Sequence, residues 1–239
     1  MNVLIACEES QRVCEAFRAK GHTAYSCDIE KCGGEHPEWH INGDVLSLLN
    51  GKCLFVTQDG VEHKINNRWD LIIAHPPCTY LTVTGNRWFD TGRYGKAAWD
   101  RMTERNKAIG FFYRFVMADC DHIAIENPCG IMSTAYRSPD QTIQPYMFGD
   151  PFEKKTCFWL KGLPMLNSTN KVKPPKRKEF ESGKTMPAWY SDLFRLPKEE
   201  RSKARSRTFP GVASAMAEQW GNYVVSILME DDSKNAENL

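Results

Sequence analysis

The sequence predicts an α/β fold, a mostly parallel sheet with helices on both faces, on three observations. Short, wholly apolar runs recur, as strands buried on both faces require: "NVLIA" (Asn2–Ala6), "WDLIIA" (Trp69–Ala74) and "HIAIE" (His122–Glu126). Segments of helical period lie between them. Glycine, proline or an acidic residue closes each run or follows it within two residues.

Asn2–Ala6 reads as the first strand. Glu9–Lys20 follows as a helix, with Val13, Ala16 and Phe17 on one face and Gly21 as its C-terminal cap. Thr23–Cys27 is a second strand, ending at Asp28, and Asp44–Leu49 a short helix. Cys53–Ile65 carries Asp59-Gly60 between alternating runs and reads as a hairpin. Trp69–Ala74 is stopped by Pro76 and Pro77, which have no N–H for a ladder. Asp100–Met117 is a long amphipathic helix with Ile109, Phe112 and Val116 on one face. His122–Glu126 is a strand cut short by Pro128, Phe158–Leu160 a later strand, and Val212–Met229 a closing helix. No internal repeat interrupts this order.

Composition sets the outer limits. At 239 residues, 41% of them hydrophobic, the chain can bury a substantial core. No apolar run is long enough to span a membrane, and the first residues enter a strand directly, so neither a membrane partner nor an export signal is expected. Nine cysteines then read as reduced thiols and the location as cytoplasmic. A net charge of +1 does not announce a nucleic-acid binder, but Lys171–Lys178 and Arg195–Arg207 are basic islands. The organisation expected is a catalytic and cofactor-binding domain over 1–162, a small basic insertion over 163–207, a closing helix over 208–229 and a disordered acidic tail over 230–239. A monomer is the expected state.

In open parallel sheets ligands bind beyond the carboxyl ends of the strands. Glu8, Asp28, Asp44, Cys78 and Glu126 each follow a predicted strand or lie in the loop beyond one. Taken singly, such carboxylates are loop polar groups or helix caps. Cys78 sits in a Pro-Pro-Cys-Thr turn, where exposure and backbone N–H groups would favour a nucleophilic thiolate; the bland alternative is a structural cysteine. In "IENPCG" (Ile125–Gly130), Glu126 ends a core strand, and partial burial would raise its pKa and let it donate a proton to a ring nitrogen. A thiol nucleophile and a protonated carboxyl on neighbouring strands suit addition to C6 of a cytosine with charge neutralised at N3.

In these residues the chain resembles the C5-cytosine DNA methyltransferases, as a compact, phage-like member. "AHPPCTYLT" is similar to the family's Pro-Cys loop, "AIENPCG" to its Glu-Asn motif, "YSCDIE" to the strand end that holds the cofactor ribose, "NGDVL" to the Gly-Asp motif beside the adenine, and "QWGNYVV" to the closing Gly-Asn-x-Val motif. The resemblance implies a Rossmann-like S-adenosylmethionine-dependent fold, with S-adenosylhomocysteine as product. It implies Cys78 and Glu126 as catalytic residues acting on a cytosine flipped out of duplex DNA. Cofactor contacts would fall on Ala6, Cys7, Glu8, Ser10, Asp28, Ile29, Asp44, Val45, Pro76, Asn222 and Val224. Substrate contacts would fall on Pro77, Thr79, Asn127, Pro128, Lys154, Lys155 and Thr156, with Lys176 and Arg177 in the basic insertion.

The chain departs from the family at three places. The first loop, Ala6–Gln11, lacks the family's glycines, although the helix N-terminus behind it can still offer N–H groups to a carboxylate, and Glu8 and Glu9 could meet the methionine ammonium. Lys154, Lys155 and Thr156 stand where the family carries Gln-x-Arg-x-Arg, and a lysine cannot reproduce an arginine's fork. Only about 45 residues, Leu163–Arg207, are available for target recognition, too few for an independent core. Their Lys, Arg, Trp189, Tyr190 and Phe194 suit phosphate and base-stacking contacts, or equally a solvated loop packed on the domain. Cys27, Cys32, His36 and His40 have a spacing unlike the common zinc fingers, and no metal is assigned. Two other readings stay open: C5 modification of RNA or a free nucleotide, and a nucleic-acid-binding relative without catalysis.

Overall fold

The computed structural model describes residues 1–237. Its strands are β1 Asn2–Ala6, β2 Thr23–Asp28, β3 His40–Asn42, β4 Cys53–Val56, β5 Glu62–Ile65, β6 Leu71–Ala74, β7 Ile123–Pro128, β8 Gln141–Ile143, β9 Thr156–Lys161, β10 Arg177–Glu179 and β11 Thr185–Pro187. Its helices are α1 Arg12–Ala19, α2 Thr91–Tyr94, α3 Lys96–Val116, α4 Met132–Ala135, α5 Ala188–Asp192, α6 Lys198–Ser206, α7 Pro210–Ala215 and α8 Gly221–Glu237.

Seven strands form the central sheet in the order β3-β2-β1-β6-β7-β9-β8. The first five are mutually parallel, whereas β9 runs antiparallel to both β7 and β8. Outward from β1 the strand numbers rise on both sides, with β9 and β8 exchanged at the far edge, as in doubly wound folds. The reversed β9, set between β7 and β8, closes an otherwise parallel, Rossmann-like sheet. Two separate hairpins, β4-β5 and β10-β11, lie outside the sheet.

Because strand side chains alternate, each central strand feeds two cores. Leu4 and Ile72 pack with Phe112, Phe115 and Trp159 on the α3 side; Val3 and Ile5 pack with Phe17, Phe158 and Trp220 on the side of α1 and the closing helices. Truncating an aromatic of this kind to alanine costs about 3–5 kcal/mol.

Several elements differ from expectation for local reasons. The first helix begins at Arg12 rather than Glu9, because Cys7 (φ 59°) and Gln11 (φ 58°) are left-handed and turn the intervening residues into a loop. Asp44–Leu49 shortens to one 3₁₀ turn, Val45–Ser47, capped by the Asp44 carboxylate accepting from the Leu46 N–H at 3.0 Å. Strand β7 is not cut at Glu126: it runs on to Pro128, paired on its outer side, Asn127 with Cys157 and Pro128 with Thr156. The closing helix starts earlier than Val212, with Pro210 in its first turn, and passes through a π turn at Met216–Trp220 into α8. The acidic segment expected to be a disordered tail is continuous with α8 as far as Glu237, and its last two residues lie outside the described residues.

The register sets the site. Ala6 lies opposite both Cys27 and Ala74, and Ala74 lies opposite Ile125. The residues just beyond these positions, Cys7 and Glu8, Asp28, His75 to Cys78, and Glu126, therefore gather along one edge.

Candidate active site

Cys78 is at the surface, in a turn whose Leu81 and Thr82 N–H groups donate to its carbonyl at 3.0 and 3.1 Å. Two arginines on α3 hold this loop. Arg101 donates to the Thr79 carbonyl (3.2 Å) and lies over the Tyr80 and Phe89 rings; Arg105 donates to the Tyr80 carbonyl (2.9 Å) and to Asn86 Oδ1 (2.8 Å). Neither was singled out by the sequence, because only the fold brings α3 against the loop. A second set of contacts ties the loop to the residues after β7: Ile131 N–H donates to the Leu81 carbonyl (2.8 Å) and Val83 N–H to the Cys129 carbonyl (3.2 Å).

The thiol is not tuned as expected. Crowding by protein atoms, and next the Glu126 charge, push the Cys78 pKa up, against the opposing pull of Lys154. The backbone N–H groups expected to favour the thiolate do not outweigh these.

Glu126 is also reversed. Burial would raise its pKa, but the Lys154 charge and then His75 outweigh burial and hold the carboxyl below its ordinary range. His75 Nδ1 lies 2.8 Å from Glu126 Oε2, and the two side chains are only 10% and 11% exposed. The expected protonated carboxyl is therefore an ionised one, paired with an imidazole. Asn127 fastens this strand end to the thiol loop, its amide donating to the Pro76 carbonyl at 2.7 Å. Lys154 donates to the carbonyls of Ser206 and Arg207 at 3.2 Å each, so it is steadied from the chain just before α7. Glu126, Lys154 and Thr156 share a cleft with Phe209 and Met216. Lys155 and Pro77 and Thr79 of the thiol loop are exposed, and Pro128 is half-buried.

At the other end of the edge, the Cys7 thiol is pushed up by burial and then by the charges of Asp28, Cys27 and Asp44, which places both carboxylates within electrostatic reach of the end of β1. Asp28 Oδ1 accepts from the Glu30 N–H at 2.9 Å, and Ile29 beside it is 77% exposed, an apolar surface next to two carboxylates. Val45 is buried and serves packing. Gly33 and Gly34 lie where a Cβ would come within 2.3 Å of Glu9 Oε2 and 2.4 Å of Gln11 Oε1, so the loop before β3 closes tightly on the first loop. Gln11, buried and passed over by the sequence reading, ties the two loops together: its amide donates to the His36 carbonyl (2.8 Å) and its oxygen accepts from the His36 N–H (3.1 Å).

These groups fit S-adenosylmethionine in one half. Asp28, Ile29 and Asp44 offer two carboxylates and an apolar face, which suits ribose hydroxyls and an adenine. The methionine half fits differently from expectation. Glu8 is buried, and its two oxygens accept from the Val13 N–H (2.7 Å) and the Cys14 N–H (3.1 Å). The chain thus fills the start of α1 with its own carboxylate, at the N–H groups expected to take that of the cofactor. Burial pushes the Glu8 pKa up, against His75 and those two N–H groups. Ala6 and Pro76 are buried, leaving Cys7 and Ser10, both half-buried, along the edge.

Two expected cofactor contacts lie elsewhere. A Cβ on Gly221 would meet His22 Nε2 at 2.8 Å, and the Tyr223 ring lies 6.3 Å from that of His122; both histidines precede their strands. Asn222 and Val224 are therefore at the amino edge of the sheet, opposite Cys78, and Val224 is wholly buried.

The basic insertion is built around surface stacking, with Leu166 the buried apolar residue among its described members. Trp189 packs on Phe152 and Phe209, while Arg205 lies over Tyr190 and Phe194. Arg177 is paired with Glu153 and donates to Thr185 Oγ1 at 3.1 Å, so it is held on the protein; Lys171, Lys173, Lys176 and Lys178 are exposed. His40 has both ring nitrogens engaged, by Ser26 Oγ (2.9 Å) and the Glu30 carbonyl (3.0 Å), and no His/Cys/Asp/Glu cluster able to hold a metal occurs among the described residues. No helix among them is long and apolar enough to cross a membrane.

No protein-family profile and no curated protein matches the sequence. Among solved structures the chain is similar to an E. coli protein, provisionally described as a DNA modification methyltransferase encoded within a prophage, at 16% identity and a TM-score of 0.42 over 83% of this chain and 56% of that one. The chain spans little more than half of that protein's length, and the likeness is too loose to carry an argument about site or substrate.

Proposed function

We propose that the chain methylates C5 of cytosine in DNA, using S-adenosylmethionine. The observation that carries this reading is the meeting of an exposed thiol, a paired carboxylate and a lysine at the carboxyl edge of the sheet, with Asp28 and Asp44 beyond the neighbouring strands. Cys78 loses its proton to solvent and its sulfur bonds to C6 of the base. Glu126, ionised at rest, must first take up a proton, which it delivers to N3 as the ring's electron pair shifts, and Lys154 steadies the carboxylate that remains. When bound, S-adenosylmethionine supplies the methyl group as a sulfonium electrophile. Loss of the C5 proton to solvent, elimination of Cys78 and return of the N3 proton to Glu126 restore the ring. Pro77 and Thr79 border the base, which must leave the duplex to reach them, while Asn127, buried, holds the loop from behind.

The slight basic insertion favours a second reading, the same chemistry on RNA or a nucleotide. Transfer of labelled methyl groups, measured in parallel on duplex DNA, RNA and cytosine nucleotides, separates the two. Label on none of them, with folded protein, ends the enzymatic reading.

Two expected outcomes follow. Asp28→Ala should weaken S-adenosylmethionine binding by roughly 10- to 100-fold in calorimetry, the worth of a hydrogen bond to a charged group; unchanged affinity would place the ribose elsewhere. Replacing Lys171, Lys173, Lys176 and Lys178 with alanine should weaken DNA binding and flatten its salt dependence by up to about 0.9 log unit per lost phosphate contact. Arg177→Ala, whose guanidinium is held by Glu153, should do little by comparison. An unchanged salt slope in the lysine variant would make the insertion a packed loop.

A further inference from the structure

We infer that His75 and Glu126 work as one proton-holding pair, in which His75 is a positioning residue that governs when Glu126 can protonate the substrate base. The inference rests on the reading of Glu126 above and adds to it a residue that the motif resemblance leaves without a role.

The geometry is that of a fixed pair. The imidazole Nδ1 and the carboxylate Oε2 are 2.8 Å apart, and both side chains are about nine-tenths buried. Each is anchored through its backbone: His75 N–H donates to the Ala6 carbonyl at 2.9 Å, and Glu126 lies within the ladder between β7 and β9, opposite Phe158. Asn127, the next residue, bonds the Pro76 carbonyl, so the two strand ends cannot drift apart without breaking it. The far ring nitrogen of His75, Nε2, is buried and has no hydrogen-bond partner. A histidine serving packing alone would leave such a nitrogen paired with a carbonyl, as the His122 ring is with Asp70. The charged groups facing the pair are Glu8 from the loop after β1, Lys154 from the segment before β9, and the Cys78 thiol from the loop after β6.

An ionised carboxylate cannot protonate N3, so the pair must hold the proton that the reaction uses. It has two forms with the same count: imidazolium beside carboxylate, and neutral imidazole beside carboxylic acid. As the Cys78 S–C6 bond forms and the ring electron pair moves to N3, the second form gives its carboxyl proton to N3. Neutral imidazole, its remaining proton on Nε2, is left beside the carboxylate. When the S–C6 bond breaks, the N3 proton returns to the pair and the cycle closes.

The test compares the wild type with His75→Gln, which can still donate a hydrogen bond to Glu126 but cannot exchange a proton, and with His75→Asn should the first not fold. Glu126 Cδ and the histidine ring are followed by NMR against pH in the whole protein without ligand. In the wild type the carboxyl and ring signals should move together, as coupled groups do. In His75→Gln the carboxyl should titrate alone and at higher pH. The rate of covalent adduct formation on DNA carrying 5-fluorocytosine should fall at least about tenfold and change its pH profile, with S-adenosylmethionine affinity unchanged. Identical Glu126 titration in wild type and variant overturns the inference, whatever the activity. Coupled titration in a wild type that forms no adduct keeps the pair and sinks the methyltransferase reading instead.

Discussion

Cys78→Ser should leave the protein without the covalent complex on 5-fluorocytosine DNA and slow methyl transfer roughly a thousandfold or more, the scale of losing a nucleophile. Fluorine cannot leave C5 as a proton does, so the wild type should stall after transfer, linked through sulfur, and survive denaturation as a mass shift equal to the oligonucleotide. Serine differs by one atom at a surface position, so melting temperature and cofactor affinity should not move. The structure adds a requirement: the thiol pKa is pushed up, first by its surroundings and then by the Glu126 charge, with Lys154 opposing. Adduct formation in the wild type should therefore quicken as pH rises toward that of the free thiolate. A serine variant that methylates at a comparable rate would remove Cys78 from the mechanism. So would a methyl group on the exocyclic nitrogen, where no attack at C6 is needed.

What the sequence made legible was the skeleton of the edge. Apolar runs ended by prolines and acidic residues locate strand ends, and parallel strands put those ends together, so the sequence alone groups Cys78, Glu126, Asp28 and Asp44. What it hid depends on side-chain direction. Nothing in "AHPPC" says that the His75 ring turns toward Glu126 rather than outward. The protonation of Glu126 is decided by His75 and Lys154, 51 and 28 residues away in sequence (126 − 75 and 154 − 126), so partial burial of a strand end suggested the wrong direction. Glu8 looked available to a ligand because the left-handed turn at Gln11, which exposes the α1 N–H groups to it, has no signature in a non-glycine residue. The match at Gly221, Asn222 and Val224 was one of letters. The closing helix starts at Pro210, and by the third turn it has crossed to the amino edge.

Gly130→Ala should be the most disruptive conservative change near the site. Gly130 has no left-handed φ, so the constraint is space. A Cβ there would lie 1.9 Å from the Leu81 carbonyl oxygen, 2.7 Å from its carbon and 3.1 Å from Thr82 Cα, all backbone of the thiol loop. Contact at ordinary distance needs a separation of well over an ångström, and a packed backbone yields little of that. The separation would break the bridge between Thr82 and Gly130 and stretch the bond from Ile131 N–H to the Leu81 carbonyl. Since Leu81 is itself bonded to the Cys78 carbonyl, the shift passes to the thiol. Overpacking of this kind costs about 1–3 kcal/mol, which for a chain of this size lowers the melting temperature by several degrees. A misplacement near an ångström costs about a hundredfold in rate, so adduct formation should fall by at least that much in protein that is still folded at the assay temperature. Gly110→Ala on α3 is the control: nothing lies within 4 Å of its Cβ position, and alanine should raise stability by up to about 1 kcal/mol through helix propensity alone. If Gly130→Ala melts and reacts like the wild type, the two loops are not held against each other in solution, and the meeting of Cys78 with Glu126 loses its structural basis.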